Sequence, residues 1–312
     1  CDWSSDVCSS DLYIMSLLSA LFLFLLNHLP AEISAPVQQH TESITIKLEK
    51  APLDLCLRSI LRPSGKNLVI DSRIAGMATL ELDNQHWRSA LKTLCKKYHL
   101  DFFESQTLII VTIKKSAGIL LDTKTREYLR QLEKEHEGPY ISLKLDRAPL
   151  DLVLNSILSA VKKNVILDPQ ITGIVSIQVK NIPWKLVLEA ILRVNDYCAI
   201  PMNELLVLTS LQKSHKLFTK EFLKAAQSRL NSRKTPKISL RLDRVTIKAA
   251  IQKIAESLNA DISFENVIER RVSINLKNVD ASLALDAILR VNGLQREQEG
   301  NRWFVRGISG QY

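Results

Sequence analysis

Glycine is scarce in this chain. Its nine glycines are spread singly through 312 residues, so no glycine-rich loop of the kind that cradles phosphates is available. Cysteine and histidine are as thin. Five cysteines and six histidines form no CxxC, no HExxH and no other array with metal-ligand spacing. None of the histidines recurs at the repeat described below. No nucleophile, carboxylate pair or ligand cluster converges in the pattern, so an enzyme and a bound cofactor are not expected. Long apolar runs are missing too. The longest lies in YIMSLLSALFLFLLNHLPAEISA, with about 15 uncharged residues, against about 20 for a membrane-spanning helix. It fits a secretory signal core. Residues 13–35 therefore read as a signal peptide cleaved at Ile33-Ser34-Ala35, with an uncleaved anchor as the alternative. Positive charge is absent from the start, the first Lys or Arg being Lys47. Residues 1–12, CDWSSDVCSSDL, match nothing later and read as an adapter-derived artefact.

What the chain does have is a repeat. Ile44, Asp71, Gly76 and Trp87 recur 97 positions later as Ile141, Asp168, Gly173 and Trp184. A further 97 positions on, Ile238, Asn278, Ile288-Leu289-Arg290 and Asn292 repeat Ile141, Asn181, Ile191-Leu192-Arg193 and Asn195. Self-similarity at a fixed period determines architecture before any local reading does. Three units follow, 44–113, 141–210 and 238–307, each near the lower limit for a domain with its own core.

Within a unit the apolar spacing changes from two to 3.6 and back. Ile141, Leu143 and Leu145 alternate, which predicts a half-buried strand. Pro149, like Pro52, suits the first turn of a helix, and Leu150, Leu154, Ile157, Leu158 and Val161 follow at helical spacing. Val165-Ile166-Leu167 predicts a short strand, and Val175, Ile177 and Val179 another. Asn181-Ile182-Pro183 is expected to turn into a second helix carrying Trp184, Leu188, Ile191 and Leu192. A hairpin closes the unit, clearest around Glu299-Gly300-Asn301. The fold class is α+β, with three tandem β-α-β-β-α-β-β domains joined by helical linkers at 114–140 and 211–237.

This pattern resembles the secretin and TonB N-terminal short domain. The segments VILDPQITG, VSIQVKNIPW and LEAILRVNDY carry the likeness, which is greatest at 141–198 and 238–305. The nearest kind is the copy in the periplasmic part of type IV pilus and competence secretins. Unit 1 keeps Trp87 and Leu91 but lacks the Ile-Leu-Arg-Val-Asn tail, and unit 3 has Glu265, Arg270 and Ala281 for the Asp, Gly and Trp. The resemblance implies a periplasmic vestibule protein, or a fragment of one, associated with the outer membrane. Its implied partners are a secretin or inner-membrane components of a secretion or pilus machine, and it implies a homo-oligomer if it belongs to a secretin. A signalling module like that of TonB-dependent transducers is the alternative.

Charge is concentrated in one place. Linker 211–237 holds eight Lys and Arg against one Glu, most of the formal +9. Phe218, Phe222, Ala225 and Ala226 fall on one helical face, and Lys216, Lys220 and Lys224 on another. The linker reads as a connector docking its Phe face on a neighbouring unit. Contact with DNA, anionic lipid or cell-wall polymer is the alternative. Trp184 reads as packing, with partner contact as its rival. Asp71/Asp168/Glu265 and Asn84/Asn181/Asn278 read as turn residues, and Asn195/Asn292 as left-handed helix ends. Cys56, Cys95 and Cys198 read as small core hydrophobes, with a disulfide as the alternative.

Overall fold

A computed structural model describes residues 43–114, 122–135, 138–232, 235–265, 270–299 and 302–308. The expectations for the artefact and signal segments, 1–12 and 13–35, lie outside them. The chain is mixed α+β. Its first stretch runs β1 (Ser43–Pro52), α1 (Leu53–Leu61), β2 (Asn67–Asp71), β3 (Met77–His86), α2 (Trp87–Lys97), β4 (Leu100–Glu104) and β5 (Leu108–Ile113). Helix α3 (Thr123–Lys134) follows. Next come β6 (Tyr140–Pro149), α4 (Leu150–Ala160), β7 (Asn164–Leu167), β8 (Ile174–Pro183), α5 (Trp184–Val194), β9 (Tyr197–Met202) and β10 (Leu205–Ser210). Two helices, α6 (Leu211–Leu217) and α7 (Lys220–Ser232), lead to the last stretch. That is β11 (Lys237–Thr246), α8 (Ile247–Ser257), β12 (Asp261–Phe264), β13 (Arg271–Asp280), α9 (Ala281–Val291), β14 (Leu294–Glu299) and β15 (Arg302–Gly307).

The local reasons recur at the same period. In each stretch the first and third strands pair antiparallel, and each pair is bulged twice. One bulge sets Asp83 and Asn84 against Thr45 alone. Its extra residue is Asn84, Asn181 or Asn278, with φ of 46°, 54° and 56°. These asparagines are therefore bulge residues inside a strand, not turn residues. Each donates its backbone N–H to the hydroxyl of Thr45, Ser142 or Ser239 at 3.0 Å. Asn tolerates the left-handed region, so the strand continues through it and bends. The strand then runs straight into the second helix without the expected turn. Pro52 and Pro149 end a strand one residue before the helix. Asn195 and Asn292 are not left-handed either; the next residues, Asp196 and Gly293, are, at φ 63° and 73°. The asparagines instead donate Nδ2–H to the carbonyls of Ile191 and Ile288 at 2.8 and 2.7 Å, satisfying late helix carbonyls.

Strand pairing does not divide where the sequence units divide. Within one stretch the second, fifth and fourth strands form a three-stranded sheet, with the second and fifth parallel. In the first two stretches that sheet continues into the next unit. The five-stranded orders are β4-β5-β2-β8-β6 and β11-β13-β7-β10-β9. The described residues accordingly hold together as one compact body.

The cores follow the sheets. One face of β2-β5-β4 packs on α1 and α2 through Leu68, Ile70, Ile109 and Val111. The other face buries Val69, Phe103, Leu108 and Ile110 against α3 and α5. This is why β5 reads Leu-Ile-Ile-Val with no alternation: a strand covered on both faces needs apolar residues at every position. Ile166, Ile200, Leu205 and Val207 repeat the arrangement against the linker helices and α9.

Candidate interaction site

The strongest constellations lie at the two joints between successive units. At the first, β2 meets β8 antiparallel with Leu68 opposite Gln178 and Ile70 opposite Ser176. At the second, β7 meets β13 with Val165 opposite Asn275 and Leu167 opposite Ser273. These registers are equivalent at the 97-residue period. One asparagine clamps each joint. Asn67 Oδ1 accepts from Lys180 N at 2.5 Å while its Nδ2 donates to the Thr107 carbonyl at 2.9 Å. Asn164 does the same with Lys277 N at 2.6 Å and the Glu204 carbonyl at 3.2 Å. A single amide thus ties the incoming strand to the sheet's own hairpin, using both an acceptor and a donor.

Beside each clamp sits a buried carboxylate. Asp71 is fully buried and Asp168 is 2% exposed. Both make the expected turn bond, accepting from the backbone of Arg73 at 3.0 Å and Gln170 at 2.9 Å. Both also accept from a buried threonine, Thr112 at 2.7 Å and Thr209 at 2.6 Å. Each then holds a cation that crosses to the next unit. Arg73 pairs with Asp71 at 2.8 Å, reaches Asp196 at 2.7 Å, and donates to the Val194 carbonyl. Lys213 pairs with Asp168 at 2.9 Å and donates to the Val291 carbonyl at 3.4 Å. Val194 and Val291 are equivalent residues at helix C-termini, where a cation is favoured. Hydrogen bonding to Asp71 raises the Arg73 pKa further above its ordinary range, against the opposing effect of burial. The sequence expectation of turn duty alone missed this role; its trace was Thr112 and Thr209 recurring with the aspartates. In unit 3 the pair becomes Glu265 and Arg306.

The basic linker is two helices, broken at Phe218, whose backbone leaves the helical region at φ −106°, ψ 61°. The single amphipathic helix expected from spacing does not form, so Lys216 lies on α6 while Lys220 and Lys224 lie on α7. All three are exposed. Phe218 is buried and Phe222 half-buried, their rings edge to face with centroids 5.8 Å apart. Arg290 stacks over Phe222 at 4.5 Å and donates to the Leu217 carbonyl. Burial lowers its pKa. Ala226 is buried beside them but Ala225 is exposed. The aromatic face is thus spent on the third unit, and the lysines point to water.

Trp184 is 5% exposed within the core shared by units 1 and 2. Its backbone N–H donates to the Pro139 carbonyl at 3.2 Å, and Lys163 lies 5.9 Å from the ring centroid. Gly138 packs against it: a Cβ there would sit 2.6 Å from the indole nitrogen, at φ +89°. Gly138→Ala combines a strained backbone with overpacking and is expected to cost about 2–4 kcal/mol in denaturant unfolding. A cost below about 0.5 kcal/mol, the range of ordinary surface changes, would show that the close approach is not needed.

Cys56, Cys95 and Cys198 are free and buried, so none of them takes the disulfide alternative. Burial raises all three thiols, and Cys95, with Asp101 nearby, is pushed up to about 12. The protonated thiol is the form the fold favours. Its contribution is full below the ordinary thiol pKa and is lost as pH rises through the folded value. At pH 8 an alkylating reagent is expected to leave these three cysteines unmodified in the native chain and to modify all three in denaturant, read by mass. Native labelling at Cys95 would contradict its burial.

No family model matches this sequence, and no curated protein does. Among solved structures, similarity is found to the type IV competence pilus secretin PilQ of V. cholerae. Identity is 19% with a TM-score of 0.23, over 51% of this chain and 39% of that one. The N-terminal domain of the secretin XcpQ from Pseudomonas aeruginosa is similar at 10% identity and a TM-score of 0.21, over 78% of this chain and 97% of that one. A dimeric mutant of the same XcpQ domain matches at 11% identity, again with a TM-score of 0.21.

Proposed function

We propose that the chain is a periplasmic, secretin-like vestibule protein of a type IV pilus, competence or secretion system, acting through protein–protein contacts at the outer membrane. The sequence resemblance names the class. The observation that carries the reading is the pair of equivalent joints, each with a shared sheet, an amide clamp and a buried carboxylate–cation bridge. Such joints turn tandem small units into one continuous wall, which is what a vestibule requires. On this reading the three units are 44–113, 141–210 and 238–307, linked by 114–140 and 211–237. The partners are a secretin or inner-membrane components of its machine.

Electron micrographs of the full chain mixed with an outer-membrane secretin of the same cell test this. Rings of defined order containing both proteins are the expected result. A dispersed monomer that instead binds the periplasmic domain of an inner-membrane regulator would replace the vestibule reading with a signalling one. Contact of DNA or an anionic polymer with Lys216, Lys220 and Lys224 is a subsidiary part of the proposal, motivated by their exposure. Affinity for a DNA duplex should then fall steeply with added salt; absence of binding at low salt removes that part.

A further inference from the structure

Positive charge gathers beside each internal joint, on one face of the shared sheet. At the first joint Gln178 pairs with Leu68, which packs on α1 and α2, so Gln178 shares the face that carries those helices. Lys144 on β6 lies opposite Gln178, and Lys180 stands two residues along β8 on the same face. Diagonal neighbours on a strand pair are within reach of long side chains. Arg62, just beyond α1, completes the group. The second joint repeats it. Arg241 on β11 lies opposite Asn275 on β13, with Lys277 two residues along. Asn275 donates to the hydroxyl of Ser159, the equivalent of Arg62, at 3.4 Å. Lys162, whose backbone bonds the Ser159 carbonyl at 3.1 Å, supplies the third cation there.

All six cations are exposed, and among the described residues none of them forms an ion pair. The joint clamps hold two of them in place, since Asn67 and Asn164 bond the backbone of Lys180 and Lys277. The charge is not a general property of these strands. In unit 1 Lys47 pairs with Glu49 at 3.9 Å and Glu81 at 3.6 Å, and Asp83 stands where Lys180 and Lys277 stand. The acids nearest the clusters are already engaged. Asp146 accepts from Arg58 at 3.1 Å and Ser176 at 2.9 Å, and Asp243 from Ser273 at 2.9 Å.

We propose that each joint is a docking site for an acidic stretch of a partner polypeptide, with a carboxylate seated among the three cations and the amide. The inference rests on charge and sheet geometry and does not depend on the vestibule reading. Like charges held together repel, and an anion that enters relieves them. Ammonium, guanidinium and amide groups are all donors suited to a carboxylate. Asp146 and Asp243 favour a peptide over a nucleic acid. They stand two residues from Lys144 and Arg241 on the same face, and so confine the positive charge to short clusters. A nucleic-acid strand carries a phosphate about every 3.4 Å and would run onto these carboxylates. The carboxylates of a peptide are spaced widely enough to avoid them.

Fluorescence anisotropy of a labelled peptide of alternating glutamate and serine, mixed with the full chain, tests the proposal. A glutamine–serine peptide and a DNA duplex are the comparisons. The acidic peptide is expected to bind at low salt and to be released by added salt, and the glutamine peptide should not bind. Lys180→Glu or Lys277→Glu alone should remove one of two binding sites. The double variant should weaken binding about tenfold or more, with its denaturation midpoint showing that it is folded. Lys180→Gln combined with Lys277→Gln should weaken binding by a smaller factor, and Lys216→Glu on the linker should leave it unchanged. Absence of peptide binding at low salt overturns the proposal. So does an equal loss with Lys216→Glu, which would make binding a matter of net charge alone. A duplex that binds more tightly than the peptide and is released by the same double variant would overturn the choice of partner.

Discussion

Replacing Asp168 with alanine is expected to cost about 3–5 kcal/mol of stability. The carboxylate is 2% exposed and holds Thr209 at 2.6 Å, Lys213 at 2.9 Å and the backbone of Gln170 at 2.9 Å. Truncation strands the Lys213 ammonium and leaves the buried Thr209 hydroxyl without its acceptor, and each stranded group costs its desolvation. A second substitution separates the pair from its surroundings. Lys213→Met removes the cation but keeps the apolar stem, so the double variant should be more stable than Asp168→Ala alone, with a coupling of about 2 kcal/mol. Denaturant titration of the four chains measures this. A loss under about 1 kcal/mol for the single alanine would make the aspartate a turn residue after all. Asp71→Ala tests the same point at the first joint, where Arg73 also reaches Asp196 and the Val194 carbonyl.

Trp184→Ala is expected to cost about 3–5 kcal/mol. The ring is 5% exposed and belongs to a core that runs from β5 through α3 to α5. Its loss leaves a cavity that the shared sheet cannot fill without moving Leu129 or Leu132. A partner-contact role predicts the opposite outcome: stability near wild type and a change only when another protein is present. Because Gly138 touches the indole, the Gly138→Ala and Trp184→Ala penalties should not add. With the ring gone, the glycine substitution should retain only its backbone strain, about 1–3 kcal/mol.

Much of the local structure was legible in the residues. Alternation at Ile141, Leu143 and Leu145 and helical spacing at Leu150, Leu154 and Ile157 place β6 and α4 within a residue or two of where they stand. The misreadings share one cause. Asn181 and Pro149 are assigned by residue preference and Phe218 by helical spacing, and each signal is satisfied by more than one conformation. A left-handed asparagine serves a bulge as well as a turn. A proline that begins helical dihedrals can equally close a strand. A phenylalanine at helical spacing can break the helix if its ring is buried better that way. Context chose among these options.

The sequence by itself determined the period of 97, the elements within it and the buried face of each strand, because side-chain polarity records which face meets water. It also placed the chain's excess positive charge in 211–237. It did not determine which strand lies beside which. Edge pairing is made by backbone groups that every residue carries, so the meeting of β2 with β8 and of β7 with β13 leaves almost no mark in composition. Only the tertiary structure decided that the sheets run through the unit boundaries. That in turn explains why β5 and β10 each open with four apolar residues in a row, and why Asn67, Asn164, Asp71 and Asp168 are placed where one unit becomes the next.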